Sequence, residues 1–494
     1  MENIYSSNDS KILNKLILFL IFIYSIQYIS FFFIKNNIYD LFYLITATIF
    51  ISLILIKKID IMNIMIILSP FVGIFHYDVF GITLKLIDVF ILLLIISNLL
   101  LYLNIIKIYF KIYLFPFFIF ALIMFISYFY VQLNIDYFQH YFSSLSSFTN
   151  NSALFSFKTL STNTLKNFFW LFINLTPILY LLNNSTSPNK LNYYIKLYLT
   201  IHTFIGIWSI FSIIQFYITN SPPLPIWRHG GINLFRLRGG EWEPSYYGTF
   251  LLYISPLYII YFLKENYIYT KKFHILCLIV LSINMIFSFS SSTWLLFLPS
   301  IVIVTIFILK YIKEKTLHLS TIFLIIFSLL FFTIIGFYGT GKIKFIFDII
   351  AKFLFPTQSS SGLTRINSIN YSLKVFWDNP ILGSGGFVQT GNLYSEILSQ
   401  YGIIGTFIVI YIFIFLYGVN FKFNNYIKNN ILVTNSIALA CSFLIMLLTM
   451  LINNNLFRIN YYFIFGFILA NYKLKRQELI ARLSNSNQNN IYHY

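Results

Sequence analysis

Cysteine is nearly absent from this chain, and several classes of function go with it. Cys277 and Cys441 are the only two and both fall inside apolar runs, which excludes a disulfide framework, a cysteine-based metal site and thiol redox chemistry. Charge is scarce as well. Asp, Glu, Lys and Arg make up 10% of 494 residues against 58% hydrophobic residues, leaving too little polar surface to cover a water-soluble protein of this size. Acidic residues are rarest, 15 against 33 Lys and Arg. No Asp-x-Asp pair lies in an outer loop, and His76, His140 and His229 are scattered without ligand spacing, so no metal and no cofactor is expected. No nucleic-acid motif accompanies the formal charge of +18. The excess reads as a topology signal and attraction to anionic headgroups, with membrane lipid rather than nucleic acid as the partner.

What is present is a series of long apolar runs, each able to cross a hydrocarbon core of about 30 Å as a helix. Helices follow from the solvent, because lipid cannot satisfy backbone N–H and C=O groups and so excludes open strands. The runs predict spans near 16–34, 39–56, 59–75, 82–104, 112–131, 167–182, 197–218, 245–263, 273–289, 293–310, 317–337, 396–418, 431–451 and 456–471. The expected fold is therefore an all-α, polytopic integral membrane protein of about 14 transmembrane helices. The 59–75 and 293–310 runs also fit a re-entrant pair. Residues 1–15 form an N-terminal segment, 16–472 the membrane domain and 473–494 a polar tail that reads as disordered after Leu483. The first run is of span length and lacks a small-residue cleavage site, so a signal anchor is expected rather than a cleaved signal peptide.

Basic residues in short loops set the orientation. With the N terminus inside, the inner loops carry Lys57, Lys58, Lys107, Lys111, Lys190, Lys196, Lys264, Lys271, Lys272, Lys313, Lys315, Lys422, Lys428, Lys473, Lys475 and Arg476, and both termini are cytoplasmic. Arginine is sorted the other way. Of seven, Arg228, Arg236, Arg238, Arg365 and Arg458 fall outside, and only Arg476 and Arg482 inside. Cations placed against the topological bias need a reason, and an arginine fork matches phosphate or carboxylate oxygens in pairs.

Three outer loops are long: 132–166, 219–244 and 338–395. The first reads as a cover. The second places Arg228, Arg236 and Arg238 beside Glu241 and Glu243 and paired glycines, which suits either an anion grip or a surface network of Arg236 and Arg238 with the two glutamates. Glu243 precedes Pro244 and Ser245 as at a helix start, so it reads either as a cap favoured by the helix dipole or as a general base near the membrane surface. In the third loop, Tyr371, Lys374 and Val375 have helical spacing, Phe376 and Trp377 fit an interfacial helix, and Gly383, Gly385 and Gly386 after Pro380 mark a tight turn.

The segments RLRGGEWEPSYYGTFLLYISPL, SGLTRINSINYSLKVFWDNPILGSGGF and GNLYSEILSQYGIIG, in that order on the outer side, resemble the O-antigen polymerase and O-antigen ligase superfamily over residues 200–420. The resemblance implies a fold of the GT-C type with an outer cap made by the long loops. It also implies transfer of a glycan from undecaprenyl diphosphate to an acceptor sugar, without metal, at the outer face of the bacterial inner membrane. By motif position, Arg238 and Arg365 face the diphosphate and Glu243 serves as base or acceptor orienter, with Arg228, Arg236, Glu241, Asn392 and Arg458 as substrate-binding residues. The partners implied are the lipid-linked donor and acceptor, a chain-length regulator and a flippase. Ligases carry a His before the Asn at the position held here by Gly391 and Asn392, so a repeat-unit polymerase is the better reading and a ligase the alternative. The family's Ser-Arg near 290–293 is replaced by Ser291, Ser292 and Thr293. A flippase is the rival from another class, but it needs charges within its spans, and Lys85 and Asp88 are almost the only ones.

Overall fold

A computed structural model describes residues 60–70, 76–79, 82–97, 99–138, 140, 157–219, 227–230, 234–239, 241, 243–264, 271–288, 290–311, 360–385, 392–452 and 458–491. The predicted spans 16–34, 39–56 and 317–337 lie outside the described residues. The elements run α1 Ile61–Leu68, β1 His76–Val79, β2 Ile82–Lys85, α2 Leu86–Ser97, α3 Leu99–Tyr109, a π-turn Phe110–Leu114, α4 Phe115–Leu133, α5 Phe157–Asn184 and α6 Pro188–Thr219. There follow β3 Trp227–Gly230, β4 Leu234–Leu237, α7 Pro244–Leu263, α8 Lys271–Phe287, α9 Ser291–Tyr311, α10 Ser360–Asp378, α11 Leu393–Phe421, a 3-10 turn Asn424–Tyr426, α12 Asn430–Thr449 and α13 Ile459–Ile491.

Six described segments are long and apolar enough to cross a membrane: Ile112–Leu133, Pro188–Phe211, Pro244–Leu263, Ser292–Tyr311, Leu393–Tyr426 and Asn430–Thr449. Their packing suits lipid. Leu122, Phe125 and Phe129 of α4, Leu298, Val302 and Ile306 of α9, and Phe407, Ile410 and Ile414 of α11 form exposed apolar stripes at helical spacing. Water does not tolerate such a belt, whereas hydrocarbon does. Inside it, α7 and the first half of α13 are buried, α7 against α8, α9 and α12, and α13 against α5, α11 and α12.

Several expectations need correction. The 59–75 run forms an eight-residue helix, too short to span as a helix on its own. Residues 82–104 begin as a strand and continue as two helices, α2 and α3. Two antiparallel ribbons, β1–β2 and β3–β4, therefore occur where only helix and loop were expected. The loop 132–166 is shortened, since α5 starts at Phe157. The tail read as disordered continues α13 as far as Ile491; it holds no Gly or Pro to break a helix, although its Ser and Asn residues favour caps and turns over helix interiors.

Pro256 lies inside α7, and a hydroxyl takes over the carbonyl it strands. Pro256 cannot donate to Leu252 O, and Ser255 Oγ does so at 2.8 Å. Helix ends are met by lysines. Lys473 Nζ donates to Leu182 O at 2.5 Å and Ser185 O at 3.3 Å beside the end of α5; Lys475 Nζ donates to Asn420 O at 2.6 Å, Asn424 Oδ1 at 2.9 Å and Ser436 Oγ at 3.0 Å beside the end of α11. A cation at a helix C-terminus satisfies orphan carbonyls and complements the dipole.

Burial pushes the Lys475 pKa down from 10.5 to about 7. Between those values the unfolded chain binds a proton that the folded chain does not, so stability rises with pH across the window. Thermal unfolding in detergent is expected to show this rise in the wild type and a shallower one in Lys475→Met. Equal slopes would mean that the ammonium stays hydrated.

Candidate functional site

The turn before α7 is built around Gly239. Its φ of +53° favours glycine, and a Cβ there would lie 2.4 Å from the Tyr247 ring. Glu241 N donates to Arg238 O at 2.9 Å, closing the turn and sending the Glu241 carboxylate inward. Glu243 then adopts extended backbone at the N-cap, and Pro244 occupies the first helical turn, where its missing N–H costs nothing.

Glu241 meets residues from the start of α13. Its Oε1 accepts from Asn460 Nδ2 at 3.0 Å, and Asn460 Oδ1 accepts from the Tyr198 hydroxyl at 3.3 Å. Its Oε2 lies 3.7 Å from Arg458 Nη2, and both side chains are 5% exposed. The Arg458 guanidinium carbon sits 3.8 Å from the centre of the Tyr246 ring and 5.9 Å from that of Tyr461. Arg458 Nη1 and the hydroxyls of Tyr253 and Tyr461 are buried and meet no hydrogen-bond partner among the described residues. Buried polar atoms are as a rule satisfied; the rings of Tyr253 and Tyr461 are 5.5 Å apart beside the Glu241–Arg458 pair.

Two further carboxylates approach this junction. The Tyr246 hydroxyl lies in the electrostatic field of Arg458, Glu243 and Glu396 together. Glu243 does not cap α7 with its side chain: its carbonyl accepts from Tyr246 N and Tyr247 N, both at 3.1 Å, while its Oε2 accepts from Ser245 Oγ at 3.4 Å. Glu396 is buried in the first turn of α11, where Gln400 Nε2 donates to its Oε1 at 3.1 Å.

The other candidates lie on separate elements. Arg238 is half-buried at the turn into α7. Arg228 and Arg236 are register partners across the β3–β4 ribbon, and Arg365 lies on α10; the side chains of these three lie outside the described part of the structure. Asn392 is the N-cap of α11, its Oδ1 accepting from Tyr394 N at 2.9 Å and Ser395 N at 3.4 Å. Glu241 has Arg458 and Asn460 among its partners; the alternative network of Arg236 and Arg238 with the two glutamates involves the Arg236 side chain, which lies outside the described part of the structure. Sequence reasoning passed over Tyr198, Tyr246, Tyr253, Asn460, Tyr461, Glu396 and Gln400. A signal for Glu396 exists, since it opens the predicted span 396–418 as an acid on apolar ground.

The turn after α10 and the start of α11 interlock. Ser384 N donates to Ser399 O at 2.9 Å, Gly385 N to Gln400 O at 2.8 Å and Ile403 N to Pro380 O at 2.8 Å. Ser127 Oγ adds bonds to Leu382 O at 2.7 Å and Gln400 O at 3.2 Å. Two of the segments that carry the family resemblance thus grip each other through their backbones.

Comparison with protein-family models finds no match, and comparison with curated proteins finds none.

Proposed function

We propose that this chain polymerises undecaprenyl-diphosphate-linked oligosaccharide repeat units into O-antigen or a related surface polysaccharide. In this reading it is a multi-pass glycosyltransferase of the bacterial inner membrane, GT-C-like, with about 14 spans, both termini cytoplasmic and its site on the outer face. The observation that carries the reading is the convergence of Arg458, Glu241, Glu243 and Glu396 from three separate segments at one end of the bundle. The buried lysines lie at the other end, Lys475 following Arg458 on α13 by about 26 Å at 1.5 Å per residue. Such a site suits a reaction whose leaving group is a diphosphate. As the glycosidic carbon–oxygen bond breaks, negative charge builds on phosphate oxygens, and arginine forks, Arg238 and Arg365 first among them, stabilise it in the transition state. Carboxylates beside them bind and deprotonate the acceptor hydroxyl.

The test is a strain with the gene deleted, complemented with wild type, Arg238→Ala, Arg365→Ala or Glu243→Ala at matched membrane levels, with its envelope polysaccharide resolved on a gel. Deletion is expected to leave single repeat units on the lipid acceptor, and the variants to fail to restore the ladder. Long polymer accumulating on undecaprenyl diphosphate would instead identify a ligase. Lipid-linked single units building up on the cytoplasmic face would identify a flippase and overturn the site.

A further inference from the structure

We propose that Glu396 is the proton acceptor of the transfer and that Gln400 is its positioning residue; this rests on the glycosyl-transfer reading above. Three carboxylates reach the junction, and their surroundings differ. Glu241 is committed to Arg458 and Asn460. Glu243 is partly exposed at the rim, with Ser245 as its neighbour, which suits it to orient an incoming acceptor. Glu396 is buried, lies on a helix rather than a loop, and shares the Tyr246 hydroxyl's surroundings with Arg458.

What fixes Glu396 is a relay of contacts that also accounts for the interlocked turn. The backbone of Gln400 is held from two sides, its carbonyl accepting from Gly385 N and from Ser127 Oγ. A Cβ at Gly383 would lie 2.5 Å from that same carbonyl oxygen, so only glycine lets the turn close on it. With its backbone clamped, Gln400 extends one helical turn back and its Nε2 holds Glu396 Oε1. A base held by a fixed neighbour on a rigid element is placed to within the tolerance that proton transfer requires.

In the step proposed, an acceptor sugar hydroxyl forms the new bond to the anomeric carbon of the donor while its proton passes to the Glu396 carboxylate. The bond from that carbon to the diphosphate oxygen breaks, and its electron pair leaves with undecaprenyl diphosphate. Glu396 then returns its proton to water.

The experiment uses the full chain in lipid vesicles with lipid-linked repeat units extracted from the deletion strain, reading undecaprenyl diphosphate release. Glu396→Gln is expected to lower kcat about 10²–10⁴-fold with KM little changed. Glu396→Asp should retain part of the rate and its pH dependence, and formate should partly rescue Glu396→Ala in proportion to its concentration. Gln400→Leu should move the pH profile of kcat while leaving KM. If Glu396→Gln keeps its kcat and Glu243→Gln loses it, Glu243 is the acceptor and the proposal falls while the transfer reading stands. An Asp variant that folds but shows neither residual rate nor pH dependence, or an Ala variant deaf to formate, also overturns it. A wild-type chain that releases no undecaprenyl diphosphate overturns both.

Discussion

Arg458→Ala is expected to cost about 3–5 kcal/mol of stability, because it leaves the Glu241 carboxylate buried without its counter-charge. The stacking of the guanidinium on Tyr246 is lost with it, a contact worth about 2 kcal/mol when desolvated. Unfolding of the purified protein in detergent measures the loss, and the informative variant is the double one. Arg458→Met with Glu241→Met removes both charges at similar volume, and such replacements are often neutral or stabilising. Stability should therefore return in the double variant while both single variants stay low. Activity is expected to part company with stability here. If the junction serves the substrate, the double variant folds and transfers nothing; if it restores transfer as well as stability, the pair is a strut and the site must lie elsewhere.

The pairing itself was not legible in the sequence, although both of its residues were. Arg458 stood out because it lies against the topological bias, and Glu241 because it shares a loop with three arginines. Nothing in either segment says that the start of α13 comes to rest on the turn before α7. That contact is a property of helix order in the bundle, which periodicity does not carry. Buried tyrosines escaped for a related reason. Tyr253 and Tyr461 sit among aromatic neighbours in apolar runs, where a phenol counts as one more large hydrophobe until its hydroxyl is found buried with no hydrogen-bond partner among the described residues.

Helix existence was legible where the apolar run was long and its ends carried punctuation. Pro244 opens α7 one residue before the expected span, and Asn429 caps α12 by accepting from Ile431 N and Leu432 N. Departures cluster where local chemistry competes with length. Residues 59–75 have the apolar content of a span but stop at Leu68. The glycine turn at 383–385 was read correctly as tight, yet its partner was not, because Gly402 lies inside an apolar run and gives no sign of a break.

Gly402→Ala is accordingly the second large effect expected. At φ +62° and ψ −163° this residue holds a conformation open essentially to glycine alone, costing about 1–3 kcal/mol in any other residue. A Cβ would also stand 2.3 Å from Ile381 O and 2.8 Å from Gly383 N, and backbone atoms cannot rotate away as a side chain can, so overpacking adds about 1–3 kcal/mol more. The helix supplies its own control. Gly418 lies on the same helix, where a Cβ meets nothing within 4 Å, so Gly418→Ala should be neutral or stabilise by up to about 1 kcal/mol. Breaking the helix at Gly402 is compensated in the wild type: the carbonyls of Ser399 and Gln400, which the kink frees, are taken by Ser384, Gly385 and Ser127. If Gly402→Ala straightens α11, those carbonyls return to the helix and the turn is released, so the amides of Ser384 and Gly385 should lose hydrogen-exchange protection. Loss of transfer with that protection intact would instead place the effect of Gly402 in the site rather than in the clamp.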